Sequence, residues 1–359
     1  MGRSRSLRDV ANAAGVSIGT ASNVLNHPDR VSDDVRQRVE GAMRLLQYRR
    51  NGAASRLSKG TSGLFAVILP DVHNPFWTAM LAGAEQALAD RGASLVVATA
   101  GYDPCRFEQV VHRLEQYGID GLLVATAPTR RHLDVCRDSS LAVVVAGADG
   151  RACGVPSVSV DDRVGMRLAV DHLLDLGHRR VALVNGPGSR IWCARRRRGA
   201  VDAIVARGLD PGDSLVEVPV ERMDVDHGRA VVSRIVELHD QGVTAVACAN
   251  DVLAIGILGE LESLGVRVPT DLSITGFDDV AAAQWATPSL TSVRQDSIAI
   301  GITAVAMLCD RIDAVAGTVP TAGTAAAPGV RPGHVVVRPE LVVRASSARA
   351  RRAGRATRS

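Results

Sequence analysis

The sequence predicts an all-α N-terminal unit of helix-turn-helix type followed by an α/β body of two doubly wound parallel-sheet lobes. Three observations lead there. The first fifty residues hold three short amphipathic helix patterns, each opened by a serine. From Leu64 onward continuous apolar runs alternate with helical ones, and that alternation occurs as two successive series. At 359 residues, 46% of them hydrophobic, the chain exceeds one core and is apolar enough to build several.

Ser6-Leu7-Arg8-Asp9 has the form of a capping box, and the helix it opens sets Leu7, Val10, Ala11 and Ala14 on one face. Gly15 ends that helix, Val16 turns inward, and Ser17 caps a second helix over 17–26 with Ala21, Val24 and Leu25 inside. A third, capped by Ser32, buries Val35, Val39, Ala42, Met43 and Leu46. Two short helices joined by a glycine-containing turn, with a supporting third, make the helix-turn-helix pattern. The second helix is roughly 13 Å long at about 1.5 Å per residue, which suits a major groove about 12 Å wide. Its outward residues are Ile18, Gly19, Ser22 and Asn23, with Thr20 near a phosphate; Asn23 is the one able to pair in bidentate fashion with adenine. A three-helix unit that binds protein rather than DNA would carry the same pattern.

Charge is unevenly placed. Residues 1–60 hold 11 basic and 5 acidic side chains, residues 344–359 hold six arginines and no acid, and the remainder is net acidic. Basic ends on an acidic body direct the ends toward a polyanion. No run of about 18 uncharged apolar residues occurs, which excludes a membrane helix. The basic, polar stretch from Met1 to Ser6 lacks the apolar region of a secretory signal. Cys105, Cys136, Cys153, Cys193, Cys248 and Cys309 stand singly, without metal or disulfide spacing, as expected of reduced thiols in a cytoplasmic protein.

In the body, buried strands are expected at 64–69, 94–98, 121–124 and 141–146, with helices at 74–91 and 106–117 between them. A second series has helices at 164–176, up to 207, and at 253–264, with strands at 180–184, 244–248 and 272–274. Parallel sheets covered on both faces follow from this order, and paired lobes place a ligand cleft beyond the carboxyl ends of their strands. The first strand is followed by Pro70-Asp71-Val72-His73-Asn74-Pro75 rather than GxGxxG, and no P-loop, GxSxG or HExxH occurs. No catalytic residue, metal site or cofactor is expected, and a binding body is favoured over an enzyme; a sugar-modifying enzyme fused to the helical unit is the reading from another class.

The residues Leu7 through Val16-Ser17, then Thr20, Ser22, Asn23-Val24-Leu25-Asn26, Val31-Ser32, Arg36, Val39 and Leu45 to Tyr48 resemble the headpiece of the LacI/GalR family of transcription regulators. The body stretches Asn74-Pro75-Phe76, Leu176-Gly177-His178-Arg179-Arg180, Ala249-Asn250-Asp251, Gly276-Phe277-Asp278-Asp279, Pro288 to Gln295 and Arg338 to Arg344 are similar to the same family's sensor. That sensor is itself similar to periplasmic sugar-binding proteins.

The resemblance implies a bacterial repressor that binds double-stranded DNA as a homodimer on a near-palindromic operator. Its operator affinity would be modulated by a small-molecule effector between the lobes, a sugar by default, with a nucleoside or other metabolite as the alternative. It implies DNA contacts from Ser17, Ile18, Gly19, Thr20, Ser22, Asn23 and Asn26, and from Asn51, Ala54 and Leu57 of a hinge helix, Leu57 as a minor-groove wedge. It implies ligand contacts from Phe76, Arg196, Asn250, Asp278 and Gln295. The plainer readings stay open: Arg196 lies in a run, Arg195 to Arg198, that would suit a solvated helix face, Asn250 would cap a helix, and Phe76 would pack in the core.

The expected organisation is headpiece 1–49, hinge and linker 50–62, sensor 63–346 and a basic disordered tail 347–359. The N-lobe is expected to take 63–163 and 292–325, and the C-lobe 164–291 and 326–346. Departures from the family are Arg50 where many members have proline, Met223 near a position of stacking tryptophan, and a Pro/Gly/Ala/Thr insertion at 317–333 expected as a loop. The tail has no apolar heptads, so a dimer rather than a tetramer is expected.

Overall fold

The computed structural model describes residues 5–48, 61–70, 72–125, 129–151, 154–315 and 333–350. The chain divides into two compact units, Met1–Ser62 and Gly63–Ser359. The first contains α1 (Leu7–Ala14), α2 (Ile18–Asn26) and α3 (Asp33–Leu45), with a short 3-10 turn at Pro28–Arg30. The capping box forms as expected: Ser6 Oγ accepts from Asp9 N at 3.3 Å while Asp9 Oδ2 accepts from Ser6 N at 2.8 Å. Gly15 takes the left-handed conformation, φ 64°, that lets the chain leave α1 sharply. Ser17 Oγ then accepts from Thr20 N at 3.0 Å and starts α2. Ser32 occupies the cap position of α3 without a side-chain cap bond. Val10, Ala11, Ala21, Val24, Val39 and Ala42 fill the small core. Arg38 of α3 donates to the carbonyls of Ala14 at 2.8 Å and Gly15 at 3.0 Å, which fixes the α1–α2 turn from outside.

The second unit holds two six-stranded sheets. In chain order the strands are β1 (Leu64–Leu69), β2 (Ser94–Thr99), β3 (Gly121–Val124), β4 (Ala142–Ala146), β5 (Ser157–Val160), β6 (Val181–Asn185), β7 (Leu215–Pro219), β8 (Ala245–Cys248), β9 (Ser273–Asp278), β10 (Thr291–Arg294), β11 (His334–Val337) and β12 (Glu340–Val342). The N-lobe sheet has order β11-β5-β4-β3-β1-β2 and is parallel throughout; the C-lobe sheet has order β12-β10-β9-β8-β6-β7, with β12 antiparallel. The expected lobe boundaries are corrected at two places. Residues 292–294 belong to the C-lobe through β10, and 334–337 belong to the N-lobe through β11. The chain thus passes between lobes after β5, after β10 and after β11. The expected disordered tail is corrected as well, because 347–350 are docked: His178 Nε2 lies 3.1 Å from the Ala348 carbonyl, and Ala350 N donates to Leu176 O at 2.9 Å. Residues 351–359, the insertion at 317–332 and the hinge fall outside the described residues.

Two helices cover one face of the N-lobe sheet, Pro75–Ala89 and Ser297–Val315, and they approach through glycines. A Cβ on Gly83 would lie 2.2 Å from the Ile298 carbonyl oxygen, and one on Gly301 2.1 Å from that of Met80. Gly259, on an exposed helical face, has nothing within 4 Å of its Cβ position. Gly301→Ala should therefore cost about 1–3 kcal/mol through overpacking, whereas Gly259→Ala should add about 0.5–1 kcal/mol through helix propensity. Urea denaturation of both variants checks this; equal effects would mean that the helix contact is not close.

Candidate functional site

In the headpiece, α2 presents the expected face. Ile18 is 43% exposed, Ser17, Gly19 and Asn23 are exposed, and Thr20, Ser22 and Asn26 are half-buried. Ser17 Oγ and Thr20 Oγ1 hydrogen-bond at 2.8 Å, and Asn26 Nδ2 donates to Ser22 Oγ at 3.2 Å, so the hydroxyls help to hold the helix end and its side. Asn23 is the long polar side chain left pointing outward from the middle of α2. Small neighbours on that face allow a close approach to a groove. Asn51, Ala54 and Leu57 lie outside the described residues.

In the body, a cavity of about 360 Å³ lies between the lobes, where strand carboxyl ends of both sheets converge. Arg196 comes from the helix Ile191–Ala206 and is only 6% exposed. The solvated-face reading of that arginine is excluded. Its Nε donates to Asp162 Oδ1 at 2.9 Å, its Nη1 donates to the Ala249 carbonyl, and its guanidinium lies 3.8 Å from the Phe277 ring centre. The neighbours Arg195 and Arg197 point elsewhere, to Asp149 at 3.4 Å and Glu217 at 2.7 Å. Burial opposes the Arg196 charge, yet Asp162 and Asp278 hold its pKa above the ordinary value. Burial likewise pushes the Asp162 carboxyl up, with Arg196 opposing.

Asp278 ends β9 and accepts from two directions: Gln295 Nε2 donates to Oδ1 at 2.5 Å, and Asn74 Nδ2 to Oδ2 at 3.4 Å. Asn74 also caps the helix Pro75–Ala89, accepting from Phe76 N at 2.9 Å, so this amide joins the lobes across the cleft. Burial raises the Asp278 carboxyl to about 6, against the pull of Arg196 and of its hydrogen bonds. Its φ of 110° and the 54° of Asp279 are left-handed values that non-glycine residues hold only when the surroundings enforce them. The enforcement is visible: the Asp279 carboxylate sits between Arg294 at 2.7 Å and Arg344 at 2.6 Å.

Asn250 faces the cavity, but its amide serves the fold. Oδ1 accepts from Leu253 N at 3.0 Å and Nδ2 donates to the Met223 carbonyl at 3.1 Å, so it caps the helix Asp251–Ser263. Phe76 lines the cavity while packing in the core, edge-on to Trp77 with ring centres 4.8 Å apart. Phe76, Arg196, Asn250, Asp278 and Gln295 are therefore gathered around one cavity. Sequence reasoning did not name Asp162, Asn74, Tyr102, Arg190 or Trp192 as ligand contacts, and all of them line it, as does Met223, which was noted only as a departure from the family. Trp192 precedes Arg196 by four residues on one helix, a same-face spacing that carried the signal. Trp285 is 78% exposed and is not among the residues that line the cavity. Among the described residues no group of His, Cys, Asp and Glu could hold a metal ion, and no helix is long and apolar enough to cross a membrane.

The family described as bacterial regulatory proteins, lacI family, matches residues 6–51, and the periplasmic binding protein-like domain matches 170–347. An uncharacterized HTH-type transcriptional regulator in the aml 5' region of Streptomyces limosus is 34% identical over 351 residues, covering 95% of this chain and 94% of that one. Among solved structures, the Lac repressor dimer bound to operator and the anti-inducer ONPF is 25% identical with a TM-score of 0.81. It covers 96% of this chain and 100% of that chain. A complex of the transcriptional regulator CelR with cellobiose is 27% identical with a TM-score of 0.68, at the same coverage.

Two measurements test the geometry of the cleft. Arg196→Met strands Asp162 as a buried charge without its cation, which should cost about 3–5 kcal/mol in urea unfolding. Adding Asp162→Asn to the same chain should recover part of the loss, and no recovery would mean that the pair is not coupled. The second concerns pH. The folded state holds the Asp278 proton more tightly than the unfolded chain, so its contribution is complete below about pH 4 and is lost as pH rises through about 6. The melting temperature of Asp278→Asn should therefore rise relative to the parent between these values; a constant difference would show an ordinary carboxylate.

Proposed function

The chain belongs to the LacI family of DNA-binding transcription regulators, and from that premise we propose that it is a repressor whose operator affinity is set by a sugar bound between the lobes. The observation that carries the sugar reading is the make-up of the cavity. The chain has only ten aromatic residues, three Trp, three Tyr and four Phe, and Phe76, Trp77, Tyr102 and Trp192 line this one cavity. They meet Arg196, held in direction by Asp162, and Asp278, held by Asn74 and Gln295. A polyhydroxylated ring presents apolar C–H faces and a rim of hydroxyls, and that combination matches such a lining. Cellobiose in the similar CelR complex supports the same reading. A nucleoside also has a flat face and hydroxyls, and is the competing ligand.

The mechanism follows from two coupled equilibria. A homodimer would place two copies of α2 on the half-sites of a near-palindromic operator, with the hinge around Asn51, Ala54 and Leu57 reading its centre. Ligand in the cleft would bias lobe orientation, and that bias would reach the DNA through the hinge. The coupling is reciprocal, so an effector that releases DNA binds more weakly to the DNA complex. The ligand is bound rather than turned over, and the work is done in the cytoplasm, where the DNA lies.

Selection of random duplexes by the purified protein tests the DNA half, with an enriched palindrome as the expected result and no enrichment at moderate salt as the result against it. Asn23→Ala should then weaken the selected site by about 1–3 kcal/mol and relax selection at one adenine. Thermal shift with sugars and nucleosides tests the ligand half, since only true ligands raise the melting point by linkage.

A further inference from the structure

Residues 344–350 lie across the amino ends of β9 and β10, opposite the strand carboxyl ends that border the cleft, and they are held there as a strap. Ser346 is wholly buried: its Oγ accepts from Thr291 N at 2.8 Å and donates to the Ile274 carbonyl at 2.6 Å. Ala348 N donates to Ser273 Oγ at 3.1 Å, and Ala350 N donates to the Leu176 carbonyl at 2.9 Å. Two histidines complete the dock. His172, half-buried on the helix Asp162–Asp175, has its Nε2 2.9 Å from Ser347 Oγ. His178, only 3% exposed, has its Nε2 3.1 Å from the Ala348 carbonyl.

The partners of His178 define its protonation state. A carbonyl oxygen only accepts, so Nε2 carries the proton that reaches Ala348, and Nδ1 accepts from the Thr244 hydroxyl 2.8 Å away. The neutral imidazole thus has one donor and one acceptor, both satisfied. A second proton, on Nδ1, would aim a donor at a hydroxyl that is itself donating. It would also put a charge where burial already lowers the pKa. Among the described residues no carboxylate acts on this ring to offset that charge. From Asp162–Asp175 the facing group is His172, which opposes a further positive charge. Thr244 before β8 and Ser273 on β9 bring hydroxyls. The strap brings arginines: Arg344 is engaged with Asp279 at 2.6 Å and with the Leu290 carbonyl at 2.7 Å, and Arg349 is exposed. The flanking Arg179 and Arg180 turn to backbone carbonyls. Burial lowers His172 as well; Asp175 opposes, but that carboxylate is shared with Arg207 at 2.9 Å.

We propose that residues 346–350 form an acid-released clasp, in which proton uptake by His178 and His172 undocks the strap from the amino ends of β9 and β10. The docked strap keeps both imidazoles neutral, whereas freed imidazoles titrate near the ordinary value of about 6.5. The undocked form therefore binds more protons and is favoured as the pH falls below that value. Above it the strap is fully held; below it the hold weakens by up to about ten-fold per pH unit for each histidine. The clasp does not depend on which ligand the cleft takes.

Hydrogen exchange of the full chain, read by mass spectrometry, tests this. Protection of a peptide over 343–350 is followed from about pH 7.5 to about pH 5.5, either side of the free-histidine value, and corrected for the intrinsic exchange rate. A peptide over β3, in the other lobe, is the reference. Strap protection should fall ten-fold or more while the reference stays within two-fold. His172→Gln and His178→Gln keep a neutral donor toward the strap, so the chain with both should keep its protection at the higher pH and lose the pH dependence. Should His178→Gln fail to fold, His172→Gln alone, at a half-buried position, should still give a shallower fall than the parent. Strap protection that stays constant over this range would overturn the proposal. So would an equal loss in the reference peptide, which marks acid unfolding of the whole body. A fall as steep in the glutamine variants as in the parent would overturn the assignment to these histidines.

Discussion

A guanidinium shut away from water at the ends of parallel strands must be surrounded by acceptors, and the arrangement of the body around Arg196 meets that demand. Asp162 opens the first helix after the chain leaves β5, and its carboxylate supplies the counter-charge. The Ala249 carbonyl, just past β8, accepts a second N–H, and Phe277 on β9 offers its ring face to the cation. Gly165 makes room for that ring, since a Cβ there would stand 2.7 Å from it. One buried cation thus binds together a lobe crossing, two strand ends and two helices, and the remaining polar groups of the cleft are arranged around it.

The carboxylates nearby follow the same logic with the opposite sign. Asp251 is wholly buried, and burial and the nearby Asp278 raise its pKa well above the usual carboxylate range. It accepts from Ser292 Oγ at 2.5 Å and from Val280 N at 2.8 Å, and so ties the start of its helix to β10 and to the loop after β9. The left-handed turn at Asp278 and Asp279 is held between this anchor and the two arginines that flank Asp279. Backbone strain kept in place by two arginines and the Asp251 anchor positions a carboxyl group that can both accept and, once protonated, donate.

The headpiece was legible almost to the residue because its signals are local. A capping box, a terminating glycine and a capping serine act within four positions of where they are read. Strands such as β1, β3 and β8, buried along their length, were legible as continuous apolar runs for a similar reason. The edge strands β11 and β12 are three or four residues long and partly exposed, and what makes them strands is the partner they reach, 177 and 46–50 residues away. The site divides likewise. Asp278 at the end of β9 and Gln295 just after β10 were named through the family resemblance and line the cavity, whereas Asp162 is identifiable only through its pairing with Arg196, 34 positions on. Asn250 shows the limit from the other side, since a helix cap and a cleft residue are the same side chain there.

The return of the chain to both sheets through β11 and β12 has a consequence for synthesis on the ribosome. The headpiece is sequence-local and can fold as soon as its residues emerge. Neither sheet of the body can be completed until residues 334–342 have been made, because each takes its last edge from that stretch. Between the synthesis of β10 and that of β11 and β12, the nascent chain therefore carries two sheets that each lack an edge strand. Those edges can recruit other chains, and they are covered only once residues 334–342 have paired with them.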